Sequence, residues 1–187
     1  MAKIERYIPK LLRWETGVPP KSGEDARTHF ERSRRKGFVV DSGGATQSGL
    51  TLTAFRTWAK KKGWATLPDV AMLKAVSYDV WRDVLKEDYW NRCKADEIVS
   101  QSVAELLVDF AYNSGSMRAI KTMQAILGVT RDGIIGPKTL QAINGRSPLP
   151  LFGELKQRRI AFLRSLQTFP KYGKGWLSRV DSFVYSE

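Results

Sequence analysis

The 187-residue sequence has one cysteine, Cys93, and one histidine, His29. A single cysteine excludes an intrachain disulfide, and the two residues together exclude a Cys/His metal-ligand set. Cys93 is expected to be a small buried hydrophobe. His29 lies in a charged segment and is expected at the surface. No run of 18 apolar residues exists, so no membrane-spanning helix is expected. The N-terminus, Met1 to Arg6, lacks an apolar signal region. A chain acting outside the membrane is then expected to stay cytoplasmic until exported or released. Acids are few, 19 against 31 Lys and Arg, which leaves a formal charge of +12. Such a charge predicts attraction to a polyanion: nucleic acid, a bacterial wall polymer or an anionic membrane. The cations are spread out, 19 in residues 1–100 and 12 in residues 101–187, against 13 and 6 acids. Each half carries the same excess, without a basic arm or a recognition helix, which argues against nucleic acid.

What is present suits a folded protein with a sizeable core. Hydrophobic residues make up 42% of the chain, and six are Trp. The length fits one domain or two small ones. Apolar residues recur mostly at spacings of three and four, the period of amphipathic helices. Pro9 is suited to opening a first helix, in which Ile8, Leu11, Leu12 and Glu15 share a face. Residues 18–37 read as a charged insert, with a short solvated helix over 24–36, serving as an exposed decoration or a basic lid. Further helices are expected over Leu52–Lys62, from Pro68, from Ser77 to Trp90, over Val103–Asn113, over Met117–Leu127, from Pro137, over Leu155–Leu166 and over Leu177–Val184. Ser102-x-x-Glu105 reads as the capping box of the fourth of these. Ser147-Pro148-Leu149-Pro150 reads as a connector. Asp109 and Asn113, four apart, share a face and are expected to support structure.

One stretch departs from helix chemistry: Asp41-Ser42-Gly43-Gly44-Ala45-Thr46-Gln47-Ser48-Gly49-Leu50-Thr51. Three glycines among an acid, hydroxyls and an amide suit tight turns or close backbone approach to a ligand. Phe38-Val39-Val40 before it is β-prone. A polar turn between a strand and a helix can hold a carboxylate over a groove. Glu15 has a different setting, at the end of an apolar stripe, where partial desolvation favours the protonated form. A carboxyl in that setting can hold a proton near neutrality, as a general acid must; a surface Glu that starts a turn, and a tight hairpin with no further role, fit the same residues.

Glu15 with the Asp41–Thr51 stretch resembles the opening of glycoside hydrolase family 108, the lysozyme-like predicted N-acetylmuramidases. The family pattern is Glu-Gly-Gly, a short spacer, then Asp-x-Gly-Gly-x-Thr-x-x-Gly-Ile-Thr. Asp109-Phe110-Ala111-Tyr112-Asn113-Ser114-Gly115 and Gly128-Val129-Thr130-Arg131-Asp132-Gly133-Ile134-Ile135-Gly136-Pro137-Lys138-Thr139-Leu140 resemble the predicted peptidoglycan-binding domain that usually follows. The resemblance covers nearly the whole chain. It implies a mainly α, lysozyme-like α+β fold: a helical bundle with one small β-hairpin region near residues 38–50. Residues 1–98 would form the glycosidase part and 99–187 the peptidoglycan-binding part, packed as one compact unit.

The implied activity is hydrolysis of the β-1,4 bond between N-acetylmuramic acid and N-acetylglucosamine, with the peptidoglycan glycan strand as partner. Glu15 would be the general acid, Asp41 would hold or activate water, and Thr46 would help position it. Gly43, Gly44, Gln47, Tyr89, Trp90 and Asn113 would contact substrate. No metal, cofactor, nucleic acid or membrane span is implied, and a monomer suffices. Such proteins serve as phage or bacterial endolysins, and some carry the label of secretion activator. Two departures stand out: Thr16-Gly17 replaces Gly-Gly after Glu15, and the spacer to Asp41 is 25 residues where the family has about eight. The alternatives are a non-catalytic wall-binding or secretion-associated protein and, more remotely, a basic nucleic-acid binder.

Overall fold

The computed structural model describes residues 1–41 and 44–186. Among these are ten α-helices and one three-stranded antiparallel sheet. The chain is mainly α with a small β region. It divides into two compact units: Ile4–Asp88, and Tyr89–Glu187 together with Met1–Lys3. No described helix is long and apolar enough to cross a membrane.

In the unit Ile4–Asp88, α1 spans Ile4–Thr16. It begins five residues before Pro9, which therefore sits inside the helix. The stripe of Ile4, Tyr7, Ile8, Leu11 and Leu12, all buried, outweighs the roughly 3 kcal/mol that an interior proline costs. α2 spans Ala26–Gly37, with Asp25 accepting a hydrogen bond from Thr28 N at 2.8 Å as its N-cap. Two expectations are corrected here. The 18–37 insert is not an exposed decoration: Phe30 is fully buried, 5.2 Å from Trp81 and 5.8 Å from Tyr78 between ring centres. His29 is not at the surface: it is fully buried, with Nε2 2.8 Å from the Val18 carbonyl. Arg32 gives both Nε and Nη2 to Glu24 at 2.6 Å and Nη2 to the Pro19 carbonyl at 2.8 Å. Hydrogen bonding from Arg32 holds the Glu24 carboxyl down to about 2.

Strands β1 (Phe38–Asp41), β2 (Gly44–Gln47) and β3 (Leu50–Thr51) follow in order. Three helices complete the unit: α3 (Leu52–Lys61, N-capped by Thr51), α4 (Val70–Lys74, capped by Asp69) and α5 (Tyr78–Leu85, capped by Ser77). The helix from Ser77 thus ends at Leu85, and a π-helical turn continues over Lys86–Trp90.

In the unit Tyr89–Glu187, α6 (Gln101–Ser114) is apolar on nearly every side and is the central helix, buried from Ser102 to Ala111. Its cap is Ser100, two residues before the expected one. Ser102 instead accepts from Ser186 N at 3.0 Å and donates to the Ser186 carbonyl at 2.6 Å, which ties down the C-terminal segment. Around it lie α7 (Ser116–Leu127), α8 (Pro137–Gly145), α9 (Pro148–Arg164) and α10 (Phe169–Asp181). The expected connector at Ser147–Pro150 is the start of α9, where prolines lose no helical hydrogen bond. α10 begins eight residues earlier than expected; Gly173 makes this possible, because a Cβ there would lie 2.6 Å from the Phe169 ring. Cys93 is fully buried, and desolvation pushes its thiol up to about 12.

Candidate active site

Glu15 lies in the last turn of α1 and is half-buried, one turn beyond the fully buried Leu11 and Leu12. The helix stops just after it for a local reason. Thr16 donates its hydroxyl to the Leu12 carbonyl at 2.6 Å and accepts from Val18 N at 3.2 Å. Gly17 then takes a left-handed conformation at φ +68°. Only this second position requires a glycine. Thr16 is helical and buried, so the departure from Gly-Gly is accommodated without opening the turn.

The end of α1 reaches the base of the hairpin through one tight contact. A Cβ placed on Gly37 would run into Ser48 Oγ and lie 3.1 Å from both Ser48 N and Thr16 Cγ2. Gly37 therefore lets three segments meet: the residue after Glu15, the start of β1, and the turn between β2 and β3. Ser48 N donates to the Gly37 carbonyl at 2.7 Å, and Trp81 Nε1 donates to the Ser48 carbonyl at 3.2 Å. Ser48 and Gly49 both have positive φ, 49° and 78°. That is the signature of a two-residue hairpin turn that matches strand twist. Serine is an uncommon residue at positive φ, and these backbone hydrogen bonds hold it there.

The strand register decides which side chains share a face. β1 pairs with β2 as Val39↔Thr46 and Asp41↔Gly44, and β2 pairs with β3 as Thr46↔Thr51. Side chains alternate along a strand and directly opposed residues point the same way. Asp41, Val39, Thr46 and Thr51 therefore share one face, and Ala45, Gln47 and Leu50 share the other. Ala45, Gln47 and Leu50 are buried, with Val40 exposed at the end of that face, while Asp41, Val39 and Thr51 are exposed and Thr46 is half-exposed. The first face is the open one. Asp41 stands diagonally from Thr46, a relation that puts Cβ atoms roughly 7–8 Å apart. It lies four residues up β1 from Gly37, about 13 Å at the rise of a strand.

The remaining site residues fall out as follows. Gly44 is exposed beside Asp41 at φ +111°. Gly43 lies outside the described residues. Gln47 is fully buried on the inner face and donates Nε2 to the Arg34 carbonyl at 3.0 Å and to Ser48 Oγ at 3.2 Å. It pins the hairpin to α2 and is turned away from solvent. Tyr89, Trp90 and Asn113 belong to the unit Tyr89–Glu187. Tyr89 is half-buried, 4.8 Å from Tyr112 between ring centres. Trp90 is fully buried and donates Nε1 to Asp96 at 2.7 Å. Asn113 is exposed, and its Oδ1 accepts from Arg159 Nη2 at 2.8 Å. Arg159 also binds Asp109 at 2.7 Å, and Arg179 binds the same carboxylate at 2.8 Å. Burial raises the Asp109 carboxyl, but the two guanidinium groups outweigh it and leave it below the ordinary range. Among the described residues, no three His, Cys, Asp or Glu side chains are grouped to hold a metal ion.

Residues that carry the geometry and that the sequence does not single out are Gly37, Ser48 and Trp81.

Comparison with known proteins finds two family models and similar solved structures. The family model described as glycosyl hydrolase 108 matches residues 39–115. A second, described as a predicted peptidoglycan domain, matches residues 118–181. The solved structure of SagA from Brucella abortus is 36% identical, with 78% of this chain and 82% of that chain covered and a TM-score of 0.69. No curated protein matches the sequence.

Proposed function

Because the chain belongs to the glycosyl hydrolase 108 family and carries a predicted peptidoglycan domain after it, we propose that it is a muramidase. The bond cut is the β-1,4 linkage from N-acetylmuramic acid to N-acetylglucosamine in peptidoglycan. Glu15 protonates the leaving glycosidic oxygen. Asp41 draws a proton from the attacking water. The Thr46 hydroxyl, on the same open face, orients that water. Gly44 gives the sugar close access to backbone beside Asp41. Tyr89 and Asn113 are sugar contacts of their own unit, and the buried Gln47 and Trp90 act by holding structure. All these groups come from one chain, so a monomer suffices. The place of action is the cell wall, reached after export or release.

One observation carries this reading: the Thr16–Gly37–Ser48 contact, which sets the turn bearing Glu15 against the hairpin bearing Asp41 and Thr46 despite the 25-residue spacer. General acid catalysis contributes typically 10²–10⁴-fold. Glu15→Gln keeps shape and removes the proton. Release of muropeptides from purified peptidoglycan, followed by mass spectrometry, is expected to fall at least about a hundredfold, with an unchanged circular dichroism spectrum. Equal rates for both proteins would leave Glu15 without its role.

A second reading, wall binding without hydrolysis, is favoured by one fact: the family match begins at Val39 and leaves Glu15 outside it. That reading predicts binding to sacculi with no new reducing ends from the wild type.

A further inference from the structure

The unit Tyr89–Glu187 contains a cleft of about 400 Å³ lined by Ser114, Gly115, Met117, Arg118, Lys121, Thr122 and Arg131. Three of its seven lining residues are cations and none is an acid. Among the described residues, Arg118, Lys121 and Arg131 enter no ion pair. Asp132, beside Arg131, is pulled down by its own hydrogen bonds, and Lys121 adds to this. Its Oδ1 is committed to Gln124 Nε2 at 2.7 Å and Ile134 N at 2.9 Å.

The cleft is rigidly built. Gln124 is fully buried and grips the loop by three bonds, to Asp132, to the Ile134 carbonyl and from Gly133 N at 2.9 Å. Gly133, at φ +81°, leaves the room that the Met117 thioether fills, and Lys121 Cε lies 3.5 Å from the same point. The Arg118 guanidinium is held 4.3 Å over the Phe162 ring. A stacked guanidinium keeps its N–H edge free for a bidentate carboxylate. The walls thus offer three cations, one of them held by stacking, two hydroxyl residues and one soft apolar patch. The first turn of α7 adds its positive dipole end.

We propose that this cleft binds the free carboxylates of a peptidoglycan stem peptide, with Met117 and the Lys121 stem receiving its alanine methyls. The proposal rests on the peptidoglycan reading of residues 118–181. It differs from the glycan-cutting reading in ligand and in location. A compact pocket of this size suits the end of a short branch. A phosphate polymer or a nucleic acid strand would instead ask for a continuous basic track, and the cations here converge on one cavity.

The test uses the full chain with Glu15→Gln, so that no substrate is consumed, and titration calorimetry at fixed salt. The probes are a soluble stem tetrapeptide bearing alanine, γ-linked glutamate and diaminopimelate, the same peptide with every carboxyl amidated, and a glycerol-phosphate oligomer. The expected result is binding of the free peptide, at least about tenfold weaker binding of the amidated one, and a similar loss in Lys121→Glu/Arg131→Glu. Both positions are at least partly solvent-accessible, and retained thermal stability of the double variant verifies its fold. In the Glu15 background, the double variant is expected to cut peptide-free glycan strands as fast as the wild type. Equal affinity for amidated and free peptide, undiminished affinity in the double variant, or tighter binding of the phosphate oligomer would each overturn the proposal. Glycan cleavage, measured separately, decides the muramidase reading on its own.

Discussion

Asp109→Asn tests whether the family-like segment Asp109–Gly115 is held by charge. Asp109 is fully buried, with Arg159 Nη2 at 2.7 Å and Arg179 Nη2 and Nε at 2.8 and 3.1 Å. Asparagine fills the same volume but leaves two guanidinium groups without their anion, one of them almost wholly buried. Removing one partner of a buried pair costs about 3–5 kcal/mol. In a unit of about a hundred residues, about 4 °C per kcal/mol places the melting point roughly 12–20 °C lower. The sign with pH follows from the depressed carboxyl. In the unfolded chain an aspartate titrates near ~3.9. The wild type therefore has the full contribution above that value and loses it as pH falls through the lower folded value. The variant lacks this acid-labile component. Thermal melts by circular dichroism between pH 7 and pH 3 measure both effects. A variant melting within about 2 °C of the wild type, with the same acid slope, would refute the assignment of Asp109 as the anchor of α9 and α10.

Gly37→Ala is expected to lower the melting point and to reduce hydrolysis together, because its Cβ must displace Ser48 from the hairpin turn; an overpacked contact of this kind costs about 1–3 kcal/mol. Asp41→Asn is expected to slow release of reducing ends by at least about a hundredfold. Cys93, buried and with its thiol pushed up to about 12, is expected to react with a thiol reagent only after denaturant is added. Rapid labelling of the native chain would contradict its burial.

The sequence made the regular parts of this fold legible and left the contacts between them unread. The stripe Ile8–Leu11–Leu12–Glu15 announced α1 because helical periodicity is a local signal. The hairpin near 38–50 was visible because positive φ at Gly44 and Gly49 demands residues of that type. The resemblance implies a substrate contact at Gln47, and the sequence does not show its burial, because an exposed amide and a buried one look alike there. Its partner, the Arg34 carbonyl, lies thirteen residues away. His29 was misplaced for the same reason, since the Val18 carbonyl that satisfies it comes from a loop. The cap of α6 is ambiguous in sequence because Ser100 and Ser102 offer equivalent hydroxyls, and only the C-terminal segment, bonded to Ser102, tells them apart.

The long spacer between Glu15 and Asp41 takes on a physical meaning once α2 is seen as core. A disordered insertion of that length would add only a slowly growing closure entropy, but it would leave the hairpin free to pivot against α1. Here the spacer is tied at three places. His29 binds Val18 next to the end of α1, Phe30 packs on Tyr78 and Trp81 of α5, and Gly37 closes on Thr16 and Ser48. The insert therefore determines the position of the hairpin relative to the first helix. Any chemistry that requires Glu15 and Asp41 to face one sugar depends on α2 as much as on either carboxylate. Loss of the Phe30 contact by substitution to alanine would then disturb hydrolysis through geometry, although Phe30 contacts neither acid's proposed substrate.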